Sequence, residues 1–137
     1  MTVLVVDSSV QIIERLQHML TETESIKIAY GAVSFKDAER FFKENITDVV
    51  LLDGGLPGNI SFDLVQEIKT VNTNTIVIIL ANSTDYYVQA KYKLHGADFF
   101  IDKYHDFEKI GEVIDYIVSK KNLNPSHEKP KYYSAIA

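Results

Sequence analysis

The stretch VVLLDGGLPGN, residues 49–59, ends an unbroken apolar run on a charged residue, Asp53, and follows it with two glycines and a proline. A strand that is apolar at every position needs cover on both faces, and that requirement points to a parallel sheet. In an open parallel sheet the carboxyl ends of the strands form the binding edge. A carboxylate at such a tip therefore stands where ligands bind.

Outward from this run, VLVV (3–6), KIAYGAV (27–33), TIVIIL (75–80) and DFFI (98–101) read as four further strands, separated by segments of helical spacing. Ile12, Ile13, Leu16, Met19 and Leu20 share one helical face, as do Ala38, Phe41 and Phe42, and then Leu64, Val65, Ile68 and Val71. Phe107, Ile110, Val113, Ile114, Ile117 and Val118 repeat the pattern in the last helix. Boundary residues agree: Ser34 stands three before Asp37 in a capping-box-like arrangement, Asp106 is placed to cap the last helix, and His95-Gly96 closes the fourth. The pattern is (βα)5, an α/β fold with a doubly wound parallel five-stranded sheet, expected in the flavodoxin-like order 2-1-3-4-5.

A length of 137 residues suits one domain, and 46% hydrophobic content is that of a globular protein. The net charge of -5, without a long run of either sign, disfavours direct nucleic-acid binding. The absence of cysteine excludes disulfides and thiolate metal sites. Asp7 interrupts the first apolar stretch far too early for a signal-peptide core, and no apolar run approaches membrane-spanning length, so the reading is a cytoplasmic protein without a membrane segment. The domain is expected over residues 1–121. Residues 122–137, with two prolines and a Tyr pair but little apolar surface, read as a C-terminal tail or linker.

Two strands end in aspartate. In the order 2-1-3-4-5, strands 1 and 3 are adjacent at the reversal, which brings Asp7 and Asp53 together in a shallow pocket. Like charges held that close are costly unless a cation shares the site, and oxygen ligands at such an edge suit magnesium. Lys103, two residues after DFFI, comes to the same edge and offers an ammonium to a carboxylate or a phosphoryl oxygen. Gly54 and Gly55 let backbone run close to the site. An acid at one strand end is often only solvated; the joint placement at three tips is what favours a site.

With VLVVD at strand 1, LLDGGLPG at strand 3 and GADFFIDK around strand 5, in order and at the right separations, the chain resembles a response-regulator receiver domain, the phosphoacceptor module of two-component signalling. The resemblance implies that Asp53 takes a phosphoryl group from a histidine kinase's phosphohistidine, that Asp7 helps hold Mg2+ through water, and that Lys103 contacts the phosphoryl oxygens. The backbone carbonyl of Gly55 matches the family's main-chain metal ligand. Implied partners are a histidine kinase or phosphotransfer protein and a downstream effector protein met by the fourth helix, fifth strand and fifth helix, with a homodimer possible and no enzymatic role. The chain reads as a single-domain regulator or a piece of a longer one.

Departures from the family pattern are specific. Ser8 stands where most members have a second acid, the direct metal ligand; its neutral hydroxyl is a weak donor, and magnesium affinity is expected to fall. Ala81 replaces the Thr or Ser whose hydroxyl bonds the phosphoryl group and whose movement lets an aromatic, here Phe100, swing inward. Asn82 or Ser83 are the nearby side chains able to reach in. Tyr104 follows Lys103 where members typically have proline after a cis peptide, and a trans bond or a strained one is expected. Ser61 replaces a glycine at the start of the third helix, and no function is attached to it. Tyr86, Tyr87 and Tyr92 suit partner docking from the fourth helix, with half-buried packing as the other reading. The four histidines show no ligand spacing, and zinc is not expected.

Two function classes follow: a phosphorylatable receiver, supported by Asp53 and Lys103, and a phosphorylation-independent pseudo-receiver acting as an interaction module, supported by Ser8 and Ala81. A flavin-binding protein of the same fold would need a glycine-bearing phosphate loop after strand 1, which DSSVQ lacks.

Overall fold

Strands and helices alternate strictly in a computed structural model that describes residues 1–56, 59–82 and 85–122. The order is β1 (Thr2–Val6), α1 (Val10–Thr21), β2 (Ile28–Ala32), α2 (Phe35–Glu44), β3 (Val49–Asp53), α3 (Ile60–Val71), β4 (Ile76–Ala81), α4 (Tyr86–His95), β5 (Phe99–Asp102) and α5 (Lys109–Asn122). All five strands are parallel in the order β2-β1-β3-β4-β5, with Val6 beside Leu52, Asp53 beside Leu80 and Ala81 beside Asp102. This is the flavodoxin-like topology expected from the sequence.

Alternation along each strand divides the core into two layers, because successive side chains leave opposite faces of a sheet. Val3, Val5, Leu51, Ile78 and Ile101 pack against α1 and α5, while Leu4, Val6, Leu52, Ile79 and Phe100 pack against α2, α3 and α4. The edge strand β2 differs. Ile28 and Tyr30 are exposed, and Tyr30 is covered in part by stacking on Phe41 of α2 at 4.3 Å.

Helix ends follow local chemistry with one correction. Ser34 accepts from the Asp37 backbone N–H at 3.2 Å, and Gly96, at φ +112°, closes α4 in the left-handed region that glycine occupies without strain. Ser9, unremarked in the sequence, caps α1 by accepting from the Ile12 N–H. Asp106 does not cap the last helix. Its carbonyl instead accepts from the Lys109 N–H at 2.9 Å in a preceding turn, and Phe107 enters the core from that turn. The expected tail lies, apart from Asn122, outside the described residues. Among those described, no helix is long and apolar enough to cross a membrane.

Candidate functional site

β1 and β3 end side by side, so Asp7, one residue past β1, meets Asp53 at the tip of β3. Lys103 reaches them from the turn after β5, where its backbone N–H donates to the Ala81 carbonyl at 2.7 Å and extends the β4–β5 pairing by one residue. Its ammonium lies 2.6 Å from Asp7 Oδ2 and 3.4 Å from Asp53 Oδ1, and all three side chains are buried, with residue exposures of 2% for Asp7, 5% for Asp53 and 9% for Lys103. Burial disfavours the charged ammonium. The Asp7 hydrogen bond and the charges of both carboxylates outweigh it and hold the Lys103 pKa above its ordinary value.

The remaining bonds of the two acids are unequal. Asp7 Oδ1 accepts from the Ser9 backbone N–H at 2.8 Å, so both its oxygens have partners. Asp53 Oδ1 accepts from the Gly55 N–H at 2.9 Å and faces Lys103. No hydrogen bond from a described residue reaches Asp53 Oδ2. Behind the carboxylate, the buried Ser61 hydroxyl donates to the Asp53 carbonyl at 2.9 Å, and the Tyr92 hydroxyl donates to the Gly54 carbonyl at 3.2 Å.

After the site, the buried Asp102 turns the chain: its Oδ1 accepts from the Tyr104 and His105 N–H groups at 2.9 Å each, and its Oδ2 lies 3.1 Å from His105 Nδ1. The His105 N–H, against the opposing effect of burial, leads the interactions that lower the Asp102 pKa. The Lys103–Tyr104 peptide is trans, as expected.

Other expected residues fall differently. Ser8 is exposed at the rim, and its hydroxyl makes no hydrogen bond among the described residues. Ala81 is buried with its methyl toward Gly54, and Phe100 already lies inward in the core, leaning on Tyr92 at 6.2 Å. Asn82 is exposed, and Ser83 lies outside the described residues. Tyr86 and Tyr87 are 82% and 88% exposed, but Tyr92 is 1% exposed and offers nothing to a docking partner. It falls three residues after the buried Gln89, on the inward face of α4, and stacks on Phe62 at 4.1 Å.

Three roles escaped sequence reasoning: the Ser61 and Tyr92 hydroxyls and the turn built on Asp102. The signal for Ser61 was its spacing, because it shares the apolar stripe of Leu64, Val65 and Ile68, where a polar side chain must find a buried partner.

Among the described residues no group of three or more His, Cys, Asp or Glu side chains could hold a metal ion. The donors at the site are nonetheless two buried carboxylates, hard oxygen ligands that fit magnesium, an ion that keeps several waters. Two clefts, of about 220 and 240 Å3, lie at the opposite, amino edge of the sheet and contain none of these residues.

The fold and the paired acids at its topological switch point define a flavodoxin-like domain with its site between the first and third strands. The profile of the response regulator receiver domain matches residues 3–115, and the chain belongs to that family, the receiver domains of two-component systems. It is similar to the Fimbriae Z protein of Salmonella typhimurium, 22% identical over 91% of this chain and 60% of the relative. It is also similar to the transcriptional regulatory protein MalR of Bacillus subtilis, 24% identical over 91% of this chain and 53% of the relative. The chain thus spans little more than half the length of these relatives. Among solved structures, the signal receiver domain of a DNA binding response regulator from Colwellia psychrerythraea superposes with a TM-score of 0.77 at 22% identity, over 86% of this chain and 98% of that one. The beryllofluoride-activated NtrC4 receiver domain dimer gives 0.76 at 25% identity, over 87% and 97%.

Proposed function

We propose that the chain is a phosphoacceptor receiver and that Asp53 is its acceptor. The observation that carries this reading is the Lys103 ammonium buried against both carboxylates while Asp53 Oδ2 is left without a described hydrogen-bond partner. In the proposed step Oδ2 attacks the phosphorus of a phosphohistidine on a histidine kinase or phosphotransfer protein. A P–O bond forms to the carboxylate and the P–N bond breaks. Its electron pair stays on the imidazole, whose other nitrogen carries the proton. Lys103 pairs with the incoming phosphoryl oxygens, and the Gly55 N–H holds the second carboxylate oxygen in place.

Asp7, Asp53 and the backbone carbonyl of Gly55 would hold magnesium, which when bound supplies charge neutralisation at the phosphoryl oxygens. With Ser8 turned to solvent, the site has one acid fewer than is usual in the family, and weak magnesium binding goes with this reading. The signal passes to an effector protein through the α4-β5-α5 face, on which Tyr86 and Tyr87 are exposed. A homodimer is part of the proposal, as in the NtrC4 relative, and so are a cytoplasmic location and a role as acceptor, not enzyme.

A second reading, a phosphorylation-independent pseudo-receiver, is favoured by the exposed Ser8 and the methyl of Ala81 in place of a hydroxyl. Intact mass after incubation with acetyl phosphate or phosphoramidate, with and without magnesium, separates the two. The first reading expects a magnesium-dependent gain of one phosphoryl mass that Asp53→Asn abolishes. No gain with either donor leaves the pseudo-receiver.

A further inference from the structure

One peptide group joins the site to α4. The carbonyl of Gly54 and the N–H of Gly55 belong to the same planar trans unit and point in opposite directions. At one end the N–H donates to Asp53 Oδ1 at 2.9 Å, and at the other the carbonyl accepts from the Tyr92 hydroxyl at 3.2 Å. A rigid peptide cannot rotate at one end alone, and hydrogen bonds in series polarise one another. Any change that reorients the Gly55 N–H therefore also reaches the Tyr92 hydroxyl.

The surroundings are built for this contact. A Cβ added at Gly54 would lie 3.2 Å from Ile79 Cγ2 and 3.3 Å from the Tyr92 hydroxyl, so only glycine lets the phenol approach without displacement. The Tyr92 ring is held by Phe62 and Phe100, and Ser61 holds the adjoining Asp53 carbonyl from α3. Ala81, the position from which the family's hydroxyl would act, offers only a methyl here.

We propose that Tyr92 is a positioning residue that couples the state of the Asp53 carboxylate to α4 through the Gly54–Gly55 peptide, taking over the transmission that Ala81 cannot perform. That phosphorylation is the natural input rests on the phosphoacceptor reading; the coupling itself stands on the geometry. The output is the orientation of α4, whose outer face carries Tyr86 and Tyr87.

Hydrogen–deuterium exchange of the α4 amides, compared among the unchanged chain, Asp53→Asn, Tyr92→Phe and the double variant, tests this. Tyr92→Phe keeps the ring stacking and removes only the hydroxyl. Asp53→Asn is expected to change α4 exchange by about five-fold when Tyr92 is present, the factor one ordinary hydrogen bond carries, and not when Phe replaces it. A purely structural Tyr92 would leave the response to Asp53→Asn the same in both backgrounds. That result, or the absence of any response in the Tyr92 background, overturns the proposal. Failure of the chain to gain phosphoryl mass from acetyl phosphate would remove the phosphoacceptor reading, while the exchange comparison would still decide the coupling.

Discussion

Strand β3 carries an aspartate at each end, and the two have opposite fates. Asp48, immediately before the strand, has Lys121 Nζ at 2.6 Å on one oxygen and the Thr2 N–H at 2.7 Å on the other. Asp53, the last residue of the strand, shares Lys103 with Asp7, and its Oδ2 has no bond from a described residue. The amino edge has a second such pair at Asp98, whose Oδ2 accepts both from Lys69 at 2.6 Å and from the Val77 N–H at 2.8 Å. Lysine–carboxylate distances of 2.6 Å occur at both edges, so distance does not separate a staple from a site. Stoichiometry and burial do: at the amino edge each acid has its own lysine, whereas at the carboxyl edge two buried carboxylates divide one.

Lys103→Ala should break the contrast most strongly, because it leaves two buried carboxylates without a cation. A loss of about 3 kcal/mol in urea unfolding is expected. A loss below about 1 kcal/mol would mean that the pair is screened as a surface pair is. At the amino edge, Lys69→Ala removes an ammonium that also donates to the Thr75 carbonyl, together with a stem that packs over Gly96. About 1–2 kcal/mol should be lost by the same measurement.

Asp53→Asn sharpens the comparison from the other side. Removing the surplus charge should stabilise the fold by about 1 kcal/mol and raise Tm, whereas the matching Asp48→Asn should not. The smallest effect belongs to Lys121→Ala, which breaks a pair whose side chains are 39% and 27% exposed. It should cost about 0.5 kcal/mol and fade in high salt.

The pH limbs should divide in the same way. For Asp48, burial raises the pKa, but the Lys121 and Thr2 bonds lower it further, to a net value below the ordinary one. Its contribution is therefore present above the ordinary carboxylate range and lost as pH falls through the lower folded value, below about pH 4. The raised Lys103 pKa has the opposite sign: its contribution is full below the ordinary lysine value and lost as pH rises through the folded one. Urea titrations across both limbs should show Lys121→Ala flattening the acid side alone.

Much of this was legible from residue order. Val49–Leu52, apolar at every position, announces burial on both faces, and the helical stripes announce which faces pack. The site's three side chains were legible because each lies at or just past the carboxyl end of an apolar run. Tyr92 was not, because α4 has a weak stripe in which exposed Tyr86, Tyr87 and Leu94 outnumber the buried Gln89 and Tyr92. Aromatic content there suggests a docking face, and only packing against Phe62 and Phe100 fixes which tyrosine turns in.

By itself the sequence determined the strands, their parallel burial and the acids at their tips, since period-2 and period-3.6 patterning acts locally and a charge ends an apolar run wherever it falls. Tertiary structure alone decided how the single lysine is divided between Asp7 and Asp53, that Ser8 faces solvent, and that Tyr92 grips the Gly54 carbonyl. The Lys103–Asp7 bond spans 96 residues and the Tyr92–Gly54 bond 38, and such contacts depend on helix rotation and strand order, which no local pattern encodes.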